Sequence, residues 1–344
     1  MNNTTTSINS LLLDGPTHWA LLIVTGVIGM FALFVSSALI WLPVMRYKAL
    51  RDQKEWLLLA GLCFADSLSG LGNSFQGVIH MVIFAMTGEE NHVTGYKLRR
   101  LFCANMPDTW LAATGLVPQG LVMGMLSADR LLLVLHPAFY FGVYNVKHAK
   151  IAILIAYVFG ALNQIVSFIR VAMLQPDDPL YETAYNYCTI LAGMMPLHFS
   201  IALRCFVFGG LLTIVLQAST AVGLWWRTKN VVGTSTVLQG DEITAEQRAF
   251  TRRVHLSVLA TFLLTFLPFV YLKVFSHSIY KRYNIGPALA ERLNLHVFTL
   301  LYIDPMLNAV IFLYNNKLMK FALRSFVKNK VLSDNLEMWN YEQN

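Results

Sequence analysis

An adjacent aspartate and arginine, Asp129 and Arg130, lie inside the apolar stretch MLSADRLLLVLHPAFY, residues 125–140. Charged side chains in apolar surroundings are unfavourable unless a partner or a function retains them. An arginine beside an aspartate can be held by that carboxylate in one state and can bind a different partner in another. The pair therefore predicts a two-state switch at a helix end, and an ordinary helix-end ion pair is the alternative.

Two further acids, Asp66 and Asp304, fall near the middle of stretches that are otherwise hydrophobic, and Asn308 follows the second of them. Acids at such depth in a membrane face the interior of a helix bundle, where they have polar partners. Neighbouring carboxyl groups can share a cation, or one of them can stay protonated. We expect a buried polar site, either with an ion or as a hydrogen-bonded network without one.

Basic side chains form a third set. Arg170, Arg204 and Lys273, with His198, lie in the outer halves of three apolar stretches. If these groups converge, they suit a carboxylate or a phosphate. Arg204 lies deeper than the others and is the strongest candidate. The alternative is that Arg170 and Lys273 extend to lipid head groups.

Catalytic and metal-binding patterns are missing from the sequence. It has no His-Glu-x-x-His pair, no glycine-rich phosphate loop and no cysteine and histidine cluster with metal spacing. We therefore expect a protein that is not an enzyme and that needs no metal or organic cofactor. The net charge of +7 is typical of basic cytoplasmic loops, so we expect membrane lipids rather than nucleic acid as partners.

The elements that must position these residues are membrane-spanning helices. Hydrophobic residues make up 56% of the chain and charged residues 13%, whereas soluble domains contain about 25% charged residues. The mean hydropathy is +0.53. Seven stretches reach the roughly 20 apolar residues that a bilayer requires. They are residues 19–45, 56–86, 101–135, 151–173, 196–226, 254–275 and 293–314. We expect an all-α seven-transmembrane helix bundle.

The placement of lysine and arginine predicts the orientation. With the N-terminus outside, sixteen of these residues lie in the inner loops and tail and six in the outer loops, as the cytoplasmic enrichment of positive charge requires. Residues 1–18 then form a short extracellular arm, residues 19–314 the transmembrane domain and residues 315–344 a cytoplasmic tail. Asn2 and Asn3 each begin an Asn-x-Thr glycosylation sequence. The tail starts with an amphipathic segment that we expect to form a short helix on the membrane surface.

Four cysteines divide into two pairs by position. Cys63 and Cys205 fall within spans, where a lone cysteine is a small apolar residue. Cys103, at the outer start of the third span, and Cys188, in the loop before the fifth, both lie on the oxidising side. A disulfide between them would tie that loop over the mouth of the bundle, and two free thiols are the alternative.

Seven spans, with a cysteine at the outer end of the third and Asp-Arg at its inner end, resemble the rhodopsin-like G-protein-coupled receptors. LCFADSLSG (62–70) resembles the second-helix motif of that family, and FLLTFLPF (262–269) resembles its sixth-helix motif. NAVIFLYNNKLMKF (308–321) resembles the end of its seventh helix followed by a surface helix. The sequence departs from the family at Leu131, where tyrosine is usual, and at Ala309, where proline is usual.

The resemblance implies a G-protein coupling switch at the inner end. Its residues here are Asp129, Arg130, Arg252, Arg253, Asn308 and Phe312. It also implies a hinge in the sixth helix at Phe262, Phe266 and Pro268, since a proline lacks the amide donor and kinks a helix. Plain core packing is the alternative for the two phenylalanines.

The resemblance also implies a sodium ion and a ligand pocket. The ion would lie among Asp66, Gln119, Asp304 and Asn308, and an ion-free network is the alternative. Amine-binding members carry an acid where this sequence has Ala112, and retinal-binding members carry a lysine near the place of Tyr302, so both ligands are disfavoured. Asp108 lies one turn nearer the outside and could replace the acid of the amine-binding members only in part. The residues expected around the pocket are Asp108, Arg170, His198, Arg204, Lys273 and Tyr302.

The stretch from Cys103 to Tyr140 is similar to the nematode serpentine chemoreceptors, the Srsx-like group in particular. It shares their Cys-x-x-x-Pro start, Gln119 before a Met-rich run, and a Pro-x-x-Tyr end. This implies an orphan chemosensory receptor of the plasma membrane that binds a small-molecule or peptide ligand and opens a cleft for a heterotrimeric G protein. The alternatives are a receptor of the same fold for a peptide or lipid, and a seven-helix transporter or channel.

Overall fold

The computed structural model describes residues 23, 26–31, 34, 37–91, 99–182, 193–231, 263, 268, 282, 310 and 317–327. Four long helices correspond to the second to fifth predicted spans. We call them the second-span helix (Lys54–Asn91), the third-span helix (Pro107–Leu135), the fourth-span helix (Val146–Ala172) and the fifth-span helix (Pro196–Val231). Shorter helical segments are Ser37–Trp41, Leu42–Arg46, Lys48–Arg51, Arg100–Ala104, Pro137–Gly142 and Lys317–Val327.

The third-span helix occupies the centre of the described bundle, since the second-, fourth- and fifth-span helices all pack against it. Three described helices, the third- to fifth-span helices, are long and apolar enough to cross a membrane. The most apolar part of the third-span helix is 67% buried, whereas that of the fourth-span helix is 28% buried. The fourth-span helix therefore turns an apolar face outward, as a helix in contact with lipid does.

The predicted start of the third span at residue 101 is wrong. A short helix, Arg100–Ala104, comes first, and the third-span helix begins only at Pro107. Met106 is extended, with φ −69° and ψ 137°, because the ring of a following proline disfavours the helical conformation. Pro107 itself suits the first helical position, where no amide donor is needed.

Two sequence signals shape the loop between the third- and fourth-span helices. His136 leaves the helical conformation before Pro137, which opens a short segment that we call the loop helix (Pro137–Gly142). Asn145 then caps the fourth-span helix, because its side chain accepts hydrogen bonds from the amides of Lys147 at 2.9 Å and His148 at 3.3 Å. The imidazole of His148 accepts the amide of Asn145 in return and completes a capping box.

Glycines bring the central helices into close contact. A methyl group added at Gly115 would lie 2.5 Å from the hydroxyl oxygen of Ser69 on the second-span helix. One added at Gly120 would lie 2.5 Å from the carbonyl oxygen of Cys205 on the fifth-span helix. Small residues allow such backbone approach, which supplies the packing that holds helices together in a membrane.

The predicted amphipathic segment contains a helix at Lys317–Val327, which we call the surface helix. Ala322 is fully buried, and the helix lies against the segment Leu42–Arg46. The guanidinium of Arg46 lies 5.7 Å from the ring centroid of Phe326, a cation–π contact. The surface helix is thus attached to the inner end of the first span.

Candidate functional site

Arg130 lies at the inner end of the third-span helix and is bound by two carboxylates. Its Nη1 donates to Oε2 of Glu55 in a salt bridge, and its Nε lies 3.9 Å from Oδ2 of Asp129. The side chains of Arg130, Glu55 and Asp129 are 13%, 30% and 0% exposed. Because these charges are largely removed from water, their mutual attraction is weakly screened.

The sequence predicted Asp129 as the partner of Arg130, but the shorter contact is with Glu55. Consecutive residues of a helix point in directions about 100° apart, so their side chains do not face one another. Glu55, in the first turn of the second-span helix, faces Arg130 from this neighbouring helix. An acid at the inner start of a predicted span was the available signal, and the sequence interpretation missed it.

Tyr140 and Lys54 extend this group of charges to the loop helix. The buried hydroxyl of Tyr140 donates to Oδ2 of Asp129 at 3.4 Å. Lys54 Nζ donates to the carbonyl oxygens of Tyr140 and Tyr144, both at 2.6 Å. The same ammonium lies 3.6 Å from the ring centroid of Tyr140 and 4.8 Å from that of Tyr144. The loop after the third span is therefore anchored to the first residue of the second-span helix.

Burial shifts the pKa values of the groups in this loop. Burial lowers the pKa of Lys54, and the negative charge of Asp129 opposes that shift. Burial, together with the smaller effect of the negative charge of Asp129, raises the pKa of the Tyr144 hydroxyl to about 12. The pKa of Tyr140 is raised by burial and by Asp129 as well. Both tyrosines therefore stay protonated at physiological pH, which lets Tyr140 donate to Asp129.

The outer end of the bundle is organised by Arg100. This buried guanidinium donates from Nε to the carbonyl oxygen of Leu180 at 2.8 Å and from Nη1 to that of Met194 at 2.9 Å. The Arg100 amide donates to the carbonyl oxygen of Tyr181 at 2.9 Å. Burial lowers the pKa of Arg100, and the charge of Asp178 opposes this. One arginine thus fixes the loop after the fourth-span helix over the bundle.

The predicted ligand-pocket residues separate into buried and exposed groups. Asp108 and His198 are buried, and Nδ1 of His198 lies 3.0 Å from Oδ1 of Asn163 on the fourth-span helix. Arg170 and Arg204 are exposed. The convergence of the basic groups on one site stays a prediction, since Lys273 and most of the sixth and seventh spans lie outside the described residues.

Only two of the helices expected to form the predicted ion site lie among the described residues. Asp66 on the second-span helix and Gln119 on the third-span helix are both buried, as intramembrane polar residues are expected to be. The partners expected from the seventh span, Asp304 and Asn308, lie outside the described residues. The sodium ion stays a prediction.

Several other predicted site residues also lie outside the described part of the chain. They are Asn2, Asn3, Cys188, Arg252, Arg253, Phe262, Phe266, Lys273, Tyr302 and Phe312. Pro268 is described as a buried helical residue. Cys103 is buried and disulfide-bonded, whereas Cys63 and Cys205 are free thiols. The pairing of Cys103 with Cys188 stays a prediction.

A comparison with protein families identifies the family to which this chain belongs. The sequence profile of the 7 transmembrane receptor (rhodopsin family) matches residues 36–312, which is well over half of the chain. The chain belongs to the rhodopsin family of seven-transmembrane receptors. The predicted family and the all-α seven-helix bundle are thereby confirmed. A comparison with curated proteins found no match to the chain.

Family membership indicates in which membrane the described helices lie and what the receptor does there. The rhodopsin-family receptor is a multi-pass protein of the plasma membrane, and a receptor of this family transmits a signal from a ligand to a G protein. The Arg130 group lies at the end of the bundle that the charge pattern places in the cytoplasm. The narrower resemblance to nematode chemoreceptors stays a prediction.

Proposed function

We propose that this rhodopsin-family receptor detects a small chemosensory ligand in the outer half of its bundle and activates a heterotrimeric G protein through Arg130. The observation that carries the proposal is the position of Arg130. It is a nearly buried arginine at the inner end of the central helix, and it is held by Glu55 of the second-span helix and by the adjacent Asp129. A residue held in this way is available to a docking partner only after those contacts break.

The mechanism that we propose is a shift between a closed and an open state. In the closed state Arg130 is bound to Glu55, as described above. In the open state the inner half of the sixth helix moves outward about Pro268 and opens a groove at the inner end of the bundle. An amphipathic helix of the G protein binds in that groove and contacts Arg130. The ligand activates the receptor because it binds the open state more tightly than the closed one.

The outer end of the bundle is better suited to bind a small ligand than a large one. The loop that Arg100 anchors lies close to the start of the third-span helix. Buried polar groups there, such as Asp108 and His198, are suited to orient a small polar molecule. The similarity of residues 103–140 to chemoreceptors supports the chemosensory role.

The test is G-protein activation in cells that express the receptor, with pooled small acids, amines and short peptides as ligands. The wild type is compared with Arg130→Gln, which keeps most of the side-chain volume, and with Arg51→Ala as a control that removes an exposed inner-surface arginine. All variants are compared at matched surface levels. We expect a ligand response in the wild type and in Arg51→Ala and no response in Arg130→Gln.

A response that survives in Arg130→Gln would refute the role of Arg130. A transporter or channel of the same fold would behave differently from the proposed receptor. Its ion flux would depend on Asp66 and scarcely on Arg130, so flux that is lost in Asp66→Asn and kept in Arg130→Gln would favour that alternative. The pool that gives the response identifies the chemical class of the ligand.

A further inference from the structure

Hydrogen bonds fasten the outer end of the fifth-span helix to the fourth-span helix. The side-chain amide of Asn163 donates to the carbonyl oxygen of His198 at 3.1 Å, and its Oδ1 lies 3.0 Å from Nδ1 of His198. One turn further out, the hydroxyl oxygen of Ser167 accepts the amide of Met195 at 2.9 Å. Asn163, Ser167 and His198 are buried, so water competes little for these bonds. We call this group of four residues the outer clamp.

The inner half of the same helix is held less firmly. Among the described residues its side-chain hydrogen bond to the third-span helix is the one from the Gln217 amide to the Ser127 hydroxyl, at 3.4 Å. We call this pair the inner contact. Oε1 of Gln217 and the hydroxyl of Thr213 are buried and have no hydrogen-bond partner in the described part of the chain. Buried polar atoms without partners are unfavourable, so this position of the inner half is less stable than that of the outer clamp.

Between these two points the fifth-span helix crosses the third-span helix on glycines. A methyl group added at Gly209 would overlap the carbonyl oxygen of Gly120, so backbone meets backbone there. Side chains on helix surfaces form ridges that interlock with a neighbour. Where both helices lack them, the two can slide past each other, as helices do in shear movements. The fifth-span helix has no proline after Pro196, so it has no proline kink and moves as one rod.

We propose that the fifth-span helix is a rigid lever whose hinge is the outer clamp and whose inner half slides across the glycine crossing when the receptor opens. The inner contact keeps the lever in its closed position. This inference rests on the proposed function, because it names a movement that regulates the same receptor. Asn163, Ser127 and Gln217 are positioning residues, which act through the placement of this helix.

The lever enlarges a small movement at the crossing. Gly209 lies 11 residues from His198, or about 17 Å at 1.5 Å per residue, and Val222 lies 24 residues, or about 36 Å, from it. A sideways slide of about 1 Å at Gly209 therefore moves Val222 by about 2 Å. Gln217 lies between them and moves by more than about 1 Å, which breaks its long hydrogen bond to Ser127. Its displacement gives the unpartnered oxygen of Gln217 access to other donors.

The experiment measures two distances between spin labels in purified receptor without G protein. The inner pair is Val222→Cys with Ile151→Cys, and the outer pair is Leu197→Cys with Ile169→Cys, all at exposed positions of the fifth- and fourth-span helices. The background carries Cys205→Ser, and the same background without added cysteines is the blank.

Four variants are compared in each labelled receptor. Gln217→Met and Ser127→Ala remove the inner contact from opposite helices, so agreement between them separates the lost hydrogen bond from a local packing defect. Asn163→Leu removes the side-chain bonds to His198 in the outer clamp. Ser219→Ala is the matched control, because it removes an exposed hydroxyl of the same helix that bonds only its own backbone at Val215.

We expect Gln217→Met and Ser127→Ala to broaden the inner distance distribution by about 2 Å or more and to leave the outer one unchanged. Asn163→Leu broadens both distributions, because the lever then lacks its hinge. Ser219→Ala changes neither. Ligand-free G-protein activation, measured in cells at matched surface level, rises roughly two- to tenfold in Gln217→Met and Ser127→Ala, the range that the loss of one hydrogen bond supplies.

Two results would overturn the lever. One is an inner distribution in Gln217→Met and Ser127→Ala that is as narrow as in Ser219→Ala. The other is an outer distribution that broadens in these two variants as much as the inner one, because the outer end would then not be a hinge. If the labels behave as expected but neither the wild type nor any variant activates a G protein, the proposed function fails and the lever stands.

Discussion

Replacing Gly120 by alanine places a methyl group against the backbone of the fifth-span helix. The new carbon would lie 2.5 Å from both the carbonyl oxygen of Cys205 and the α-carbon of Phe206. Ordinary contact begins at 3.4 Å, so the two helices must separate by about 0.9 Å at this crossing. Both neighbours are backbone atoms, so no side-chain rotation relieves the clash.

Overpacking of this kind destabilises proteins by roughly 1–3 kcal/mol. At about 2–4 °C per kcal/mol for a long chain, we expect the melting temperature of Gly120→Ala to fall by roughly 2–12 °C. The assay is thermal unfolding of purified receptor in detergent, followed by the fluorescence of a thiol-reactive dye. The matched control is Gly124→Ala on the same helix face, where the nearest atom is the flexible tip of Leu212 at 3.3 Å.

The separation of the two helices also shifts the inner end of the third-span helix, which carries Arg130. We therefore expect the ligand-free coupling of Gly120→Ala to change together with its stability. A melting temperature within about 1 °C of that of Gly124→Ala, measured side by side, would refute the close crossing.

Two more predictions concern the loops. Arg100→Met removes charge-assisted hydrogen bonds to the carbonyl oxygens of Leu180 and Met194. We expect the free energy of unfolding to fall by about 2 kcal/mol or more and amide hydrogen exchange in residues 174–182 to become faster. Unchanged exchange in these residues would contradict the anchoring role of Arg100. Titration of tyrosinate absorbance, wild type minus Tyr144→Phe, should show a group with a pKa near 12 instead of 10.0. Because the folded pKa is raised, the stabilisation by Tyr144 is complete below pH 10 and is lost as the pH rises through about 12; a midpoint near 10 would contradict its burial.

The sequence predicted those features that depend on local pattern. Apolar runs of sufficient length predicted the second- to fifth-span helices, and their order with Asp129 and Arg130 predicted the family. The same reasoning placed the amphipathic segment, where the structure has the surface helix. These features follow from hydrophobic length and periodicity, which a single sequence contains.

Contacts between distant residues were not predictable in this way. Glu55 and Arg130 are 75 positions apart, and only the packing of the second- against the third-span helix brings them together. The exposure of Arg170 and Arg204 was not predictable either, because depth along a span does not give the rotation of a side chain about its helix axis. The start of the third-span helix was misplaced because Met106 and Pro107 interrupt an apolar run that otherwise reads as continuous.

The central claim is that Glu55 restrains Arg130 and that Arg130 couples the receptor to its G protein. The most direct test is nucleotide exchange on purified G protein by Glu55→Gln, Arg130→Gln and the double variant, with equal amounts of folded receptor. Glu55→Gln should raise nucleotide exchange above that of the wild type. The double variant should be as inactive as Arg130→Gln, because the loss of Glu55 can act only through the arginine that it restrains. A double variant as active as Glu55→Gln would contradict the account.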